Sequence, residues 1–154
     1  MQIHKIKTEV ESIIRKLSYS DKKLAILAEK FYMQLKALSK RVQVITGPVN
    51  IGLLLLNEDK VALIDAGLDK RQARLILEIL NAYHYKLDTI LLTHAHADHC
   101  GGCAYLQNIT KCKILADQKE APAVDNPVIQ AIVLFGGFPV PELINNYLVA
   151  EPAH

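Results

Sequence analysis

Between Ile51 and Thr93 the chain alternates its hydrophobic period in a way that few folds accommodate. "IGLLLLN" and "KVALID" are apolar runs of strand length joined by the polar turn "NEDK", which predicts a buried β-hairpin. "GLDKRQARLILEILNAYHY" then spaces Ala73, Ile76, Leu77, Leu80 and His84 on one helical face, with Asp69 as the N-cap. "DTILLT" returns to a buried strand. A strand, a helix and a further strand in that order predict an α/β sheet, and such sheets present ligands at their strand ends. Just upstream, "RVQVIT" alternates and is β-branched, and "GPVN" reads as a turn.

The strand "DTILLT" ends in "THAHADHCGG", which puts His94, His96, Asp98 and His99 within six positions. If the extended geometry continues past Thr93, His94 and His96 project to the same side. Two imidazoles so held can bind one zinc ion. Asp98 and His99, beyond a bend, fit a second ion nearby, as in two-metal hydrolytic sites. Gly101 and Gly102 are expected to let the backbone turn sharply. A polar loop of coincidental composition is the plain alternative. A thiolate zinc site is another, because Cys100 and Cys103 have redox-motif spacing and Cys112 follows.

The first forty residues carry a different pattern. Ile6, Val10, Ile13, Ile14 and Leu17 recur at helical spacing, as do Leu24, Leu27, Phe31, Leu35 and Leu38. A helical hairpin over residues 1–37 is expected, followed by a second domain over 38–154. The hairpin either folds onto its own domain or offers a face to a partner helix. His84 is expected to pack at a helix C-terminus, and Asp117 and Glu120 to begin a short helix.

Composition narrows the function classes. With 154 residues, 51% hydrophobic and 22% charged, the chain suits one globular core. A net charge of +2, from 18 basic and 16 acidic residues, is too even to point to nucleic acid or a membrane as a partner. The apolar runs are too short to span a bilayer, and "MQIHKIKTEVE" has no signal-peptide core. Three cysteines make no disulfide framework. A cytoplasmic protein acting on a small-molecule substrate is the expectation.

From about Leu38 the chain resembles the metallo-β-lactamase fold superfamily, in its glyoxalase II-like hydrolase branch. "GPVNIG", "ALIDAGLD" and "THAHADHCGG" carry the resemblance, the last most specifically. It implies an α/β (α+β) fold: half of an αββα sandwich, a mixed sheet with flanking helices, preceded here by the helical hairpin. It implies one or two zinc ions that activate water for hydrolysis of an ester, thioester or amide. His94 and His96 match ligands of the first ion, Asp98 and His99 ligands of the second. Asp98 also matches the group that orients or deprotonates the attacking water, and Asp65 the aspartate that supports the metal loop. A histidine at position 96 disfavours the redox-iron branch, which has a carboxylate there.

The family completes its site with a later histidine, a bridging aspartate and a final histidine, and no matching motif follows His99 in these residues. His154 lacks the glycine-rich surroundings of the family's third histidine and is not assigned that role. Two donors per ion predict weak zinc binding and little turnover unless further donors are supplied. The alternative function is a non-catalytic assembly module, pairing with a second copy or a complementary chain through the hairpin or an exposed sheet face.

Overall fold

The expected β-hairpin of "IGLLLLN" and "KVALID" and the strand–helix–strand pattern after it both appear in one mixed sheet. The computed structural model describes residues 33–141, 144–145 and 148–154. Among the described residues six strands run in sequence order across the sheet: β1 (Gln34–Ala37), β2 (Val42–Thr46), β3 (Ile51–Leu55), β4 (Lys60–Ile64), β5 (Lys86–Leu91) and β6 (Lys113–Leu115). The first four pair antiparallel through short turns, whereas β4–β5 and β5–β6 are parallel and need crossovers. The β4–β5 crossover is α1 (Lys70–Ala82). The β5–β6 crossover contains α2 (Ala97–Cys100) and α3 (Cys103–Thr110). Two short helices follow, α4 (Ala121–Asp125) and α5 (Val128–Phe135).

Helix α1 starts where the sequence predicts. Asp69 is extended, and its Oδ1 accepts the Gln72 N–H at 2.8 Å. Gln72 is buried and turns its side chain back, accepting the Leu68 N–H at 2.7 Å. This local exchange fixes the loop from Asp65 to Asp69. Ala73, Leu75, Ile76 and Leu80 are buried, as the 3.6-residue period requires. Outside, Lys70 and Arg74 both lie over the Tyr105 ring of α3, at 5.5 and 5.6 Å from its centroid.

The two sheet faces differ. In register across the sheet, Leu53, Leu63 and Ile90 form one row, and each is fully buried. The adjacent row on the opposite face is Val44, Gly52, Ile64, Leu91 and Leu115. There Ile64 is 38% exposed and Leu115 54%. One face is therefore a core and the other is an apolar surface, the pattern of half a sandwich. Among the described residues no helix is long and apolar enough to cross a membrane.

Two expectations need correction. Leu35 and Leu38 continue a helical spacing, yet Gln34–Ala37 is strand β1, paired antiparallel with Gln43–Thr46. Residues 34–37 thus belong with the sheet, because ladder pairing outweighs a weak local period. The rest of the expected hairpin, residues 1–32, lies outside the described residues. His84 is not packed on the helix face. The helix ends at Ala82, and His84 is exposed in a left-handed turn (φ 58°) with its N–H on the Asn81 carbonyl.

Candidate metal centre

Strand β5 ends at Leu91, and the next eight residues build the cluster. Leu92 still donates its N–H to the Leu115 carbonyl, at 2.8 Å, after which the backbone leaves the ladder. Thr93 is anchored at once: Asp65 Oδ1 accepts its N–H at 2.8 Å, and both Asp65 oxygens lie 2.9 Å from its hydroxyl. Asp65 is 4% exposed and stands at the end of β4 in a left-handed conformation, φ 67°. That conformation costs free energy for any residue but glycine, and such strain concentrates at functional sites. Here it aims a buried carboxylate across the strand ends.

The hydrogen bonds assign the imidazole nitrogens. The Thr93 hydroxyl donates to Asp65, so its oxygen is left to accept from His94 Nδ1, 3.0 Å away. His94 Nε2 then carries a lone pair, and it lies 3.0 Å from His96 Nδ1. His99 Nδ1 lies 2.7 Å from Asp65 Oδ2 and donates to it, which leaves His99 Nε2 as an acceptor. That nitrogen is 3.5 Å from Asp98 Oδ2. Burial, and then the neighbouring His99 and His96, lower the His94 pKa, so its ring is held in the neutral, donor-capable form.

These spacings bear on metal fit. Two donors on one tetrahedral zinc, each at ~2.0–2.1 Å, stand roughly 3.3 Å apart. The His94–His96 separation of 3.0 Å and the Asp98–His99 separation of 3.5 Å bracket that figure. The His94 ring also sits 4.1 Å from the His99 ring, centroid to centroid, so the pairs are adjacent. Each ring assigned a free nitrogen has its other nitrogen tied to Asp65, directly or through Thr93, the arrangement that orients metal-binding histidines. By separation alone, each pair could meet at one ion. Among the described residues, no three His, Cys, Asp or Glu side chains are arranged to hold one ion.

The thiolate alternative fits poorly. Cys100, Cys103 and Cys112 are all free and buried. Burial pushes the Cys100 thiol up to about 11 and raises Cys103 and Cys112 as well. Among the described residues no three of these side chains surround one point, so the geometry lends a thiolate site no support. Gly101 and Gly102 serve differently from the expected sharp turn. Both have ordinary right-handed helical angles, but a Cβ on Gly101 would overlap the Leu68 carbonyl and one on Gly102 the Ala66 carbonyl. They are glycines because the β4–α1 loop lies against them. The Ala66 N–H donates to the His99 carbonyl at 2.7 Å and the Gly102 N–H to the Gly67 carbonyl at 3.1 Å.

Thr93 and Glu120 contribute more than their sequence context suggests. Thr93 links Asp65 to His94, and Glu120 reaches back from before α4 to the backbone of Ala95. A threonine ahead of the cluster is a legible signal; a glutamate 25 residues downstream is not. His154 is held elsewhere: Nδ1 is 3.1 Å from Asp125 Oδ1, and the Gln107 amide donates to its carbonyl. Beside the cluster lies a cavity of about 260 Å³, bounded by His96, Ala97 and Asp98 on one side and Gln130, Leu134 and Leu148 on the other.

Comparison with known proteins agrees with this architecture. Residues 44–148 match the Metallo-beta-lactamase superfamily. A hydroxyacylglutathione hydrolase of Rhodopseudomonas palustris is 38% identical over 92 residues, which are 57% of this chain and 35% of the relative. One from Nitrobacter hamburgensis is 39% identical over 74 residues, 47% of this chain and 28% of the relative. The matched segment thus spans about a third of these curated relatives. Among solved structures, the subclass B3 metallo-beta-lactamase BJP-1 of Bradyrhizobium japonicum superposes with a TM-score of 0.63 at 17% identity, over 82% of this chain and 46% of that one. A Cronobacter sakazakii metallo-beta-lactamase gives 0.60 at 22%, over 84% and 47%. At such identities these two structures speak for the fold alone. The chain belongs to the metallo-beta-lactamase superfamily.

Proposed function

We propose that this chain supplies the opening donor pairs of a zinc-dependent hydrolase, acting on a thioester or a related ester or amide. The observation that carries this reading is the pair of opposed donors, His94 Nε2 with His96 Nδ1 and Asp98 Oδ2 with His99 Nε2. Zinc, when bound, supplies Lewis acidity that makes water nucleophilic at neutral pH and stabilises developing negative charge. His94 and His96 would hold one ion, and Asp98 and His99 a second. Asp98 is half exposed and borders the cavity, so its carboxylate can accept the proton of the attacking water. Asp65 holds the His99 ring at 2.7 Å and, through Thr93, the His94 ring. Leu134 and Leu148 give the cavity an apolar wall for the acyl part of a substrate, and the Gln130 amide gives it one polar group. A thioester is favoured because the curated relatives are hydroxyacylglutathione hydrolases.

Two donors per ion leave zinc loosely held and water loosely placed. The chain alone is therefore expected to be a poor catalyst. The test is zinc-dependent thioester hydrolysis, with and without a polypeptide that supplies the family's later donors. Recovered turnover that disappears in His96→Ala and Asp98→Ala but persists in His84→Ala supports the reading. Turnover indifferent to His96 and Asp98 contradicts it. A second reading, a non-catalytic assembly module that binds metal weakly, is favoured by the lack of three converging donors among the described residues. Under that reading no partner restores turnover.

A further inference from the structure

The peptide between the two leading histidines is gripped at both ends. Ala95 is 2% exposed and lies past the end of β5, where no ladder partner remains for its N–H. A buried N–H without an acceptor is costly, so one must be provided. Glu120 provides it: Oε2 accepts the Ala95 N–H at 2.8 Å. On the other side the Cys100 thiol donates to the Ala95 carbonyl at 3.4 Å, and Cys100 is itself buried in α2. The dihedral angles of Ala95 decide how His96 stands relative to His94, whose facing nitrogens are 3.0 Å apart. A change of a few tens of degrees there would separate them.

We infer that Glu120 is a positioning residue for the metal centre, clamping the Ala95 peptide against Cys100 so that His94 Nε2 and His96 Nδ1 face one point. The inference rests on the zinc reading proposed above. A carboxylate suits the task because an ionised acceptor binds an N–H more strongly than a neutral one. Asp65 steadies the two rings from the β4 side, and Glu120 steadies the intervening backbone from the α4 side.

The experiment compares the full chain with Glu120→Ala, Glu120→Gln and His94→Ala. Zinc affinity is measured by calorimetric titration, and the Ala95 amide is followed by proton–nitrogen NMR without metal. Glu120→Ala is expected to weaken zinc binding by about 10–100-fold, the range for residues that orient ligands. Its Ala95 amide proton should shift upfield and exchange faster with solvent. Glu120→Gln keeps an oxygen acceptor without the charge and should fall between Glu120→Ala and the parent chain, which a loss of fold would not reproduce. Unchanged zinc affinity in Glu120→Ala, alongside a loss in His94→Ala, overturns the inference and leaves the metal reading intact. If His94→Ala leaves the zinc isotherm unchanged, the metal reading fails and takes the affinity effect with it. The amide shift then reports the clamp alone.

Discussion

Asp65 and His99, 34 residues apart in sequence, are joined at 2.7 Å through Oδ2 and Nδ1. The contact ties the end of β4 to helix α2, and the same carboxylate takes both the N–H and the hydroxyl of Thr93. One buried side chain thus organises three donors from two segments. In Asp65→Ala the Thr93 and His99 donors lose their acceptor, and losing a hydrogen bond to a charged group costs about 1.5–3 kcal/mol. A loss of roughly 2–3 kcal/mol in urea unfolding is expected by that measure. A loss below about 0.5 kcal/mol, the range of ordinary surface changes, would show that Asp65 does not organise the site.

Gly101 tests the close approach of the β4–α1 loop. Gly101→Ala drives a Cβ into the Leu68 carbonyl, whereas a Cβ on Gly137 meets nothing within 4 Å. Overpacking of this kind costs about 1–3 kcal/mol. Gly101→Ala should therefore lower the thermal midpoint by several degrees, and Gly137→Ala should leave it nearly unchanged. Equal effects at the two positions would contradict the packing argument.

The buried cysteines give a spectroscopic prediction. With the Cys100 thiol pushed up to about 11 and all three side chains enclosed, the folded chain should react slowly with thiol reagents at neutral pH and quickly in urea. Cobalt substitution should give weak visible bands without intense near-ultraviolet thiolate absorption. A strong thiolate band removed by Cys100→Ser or Cys103→Ser would transfer the metal to the cysteines.

Much of this was legible along the chain, for identifiable reasons. The β3–β4 hairpin and β5 are continuous apolar runs bounded by polar turns, and Asp69 caps α1 because its position before the helical period leaves it no better role. The same-side placement of His94 and His96 follows from extended backbone alone. Other features depend on tertiary contacts. Leu35 and Leu38 keep a helical spacing that the pairing of β1 with β2 overrides. Gly101 looks like a turn residue, and only the neighbouring Leu68 carbonyl explains it. Glu120 reads as the start of a helix, and nothing local announces its bond to Ala95.

The exposed sheet face predicts association. Ile64 and Leu115 flank Leu91 in one row, and apolar surface of this kind seeks cover. Light scattering at micromolar concentration should show a second copy or a complementary chain bound. Ile64→Lys with Leu115→Lys should shift the population toward monomer. A stable monomer from the parent chain would contradict this.

Ring-nitrogen NMR during zinc titration reads whether His94 and His96 present Nε2 and Nδ1 to a common ion. His94 Nε2 should move from a lone-pair shift, and His96 Nδ1 from the protonated shift of its hydrogen-bond donor, together to metal-bound shifts, with His99 Nε2 following. His84, exposed in its turn, and His154, held by Asp125 and Gln107, should not respond. Zinc-induced shifts confined to His154 or to the cysteines, with His94 and His96 unmoved, would contradict the claim.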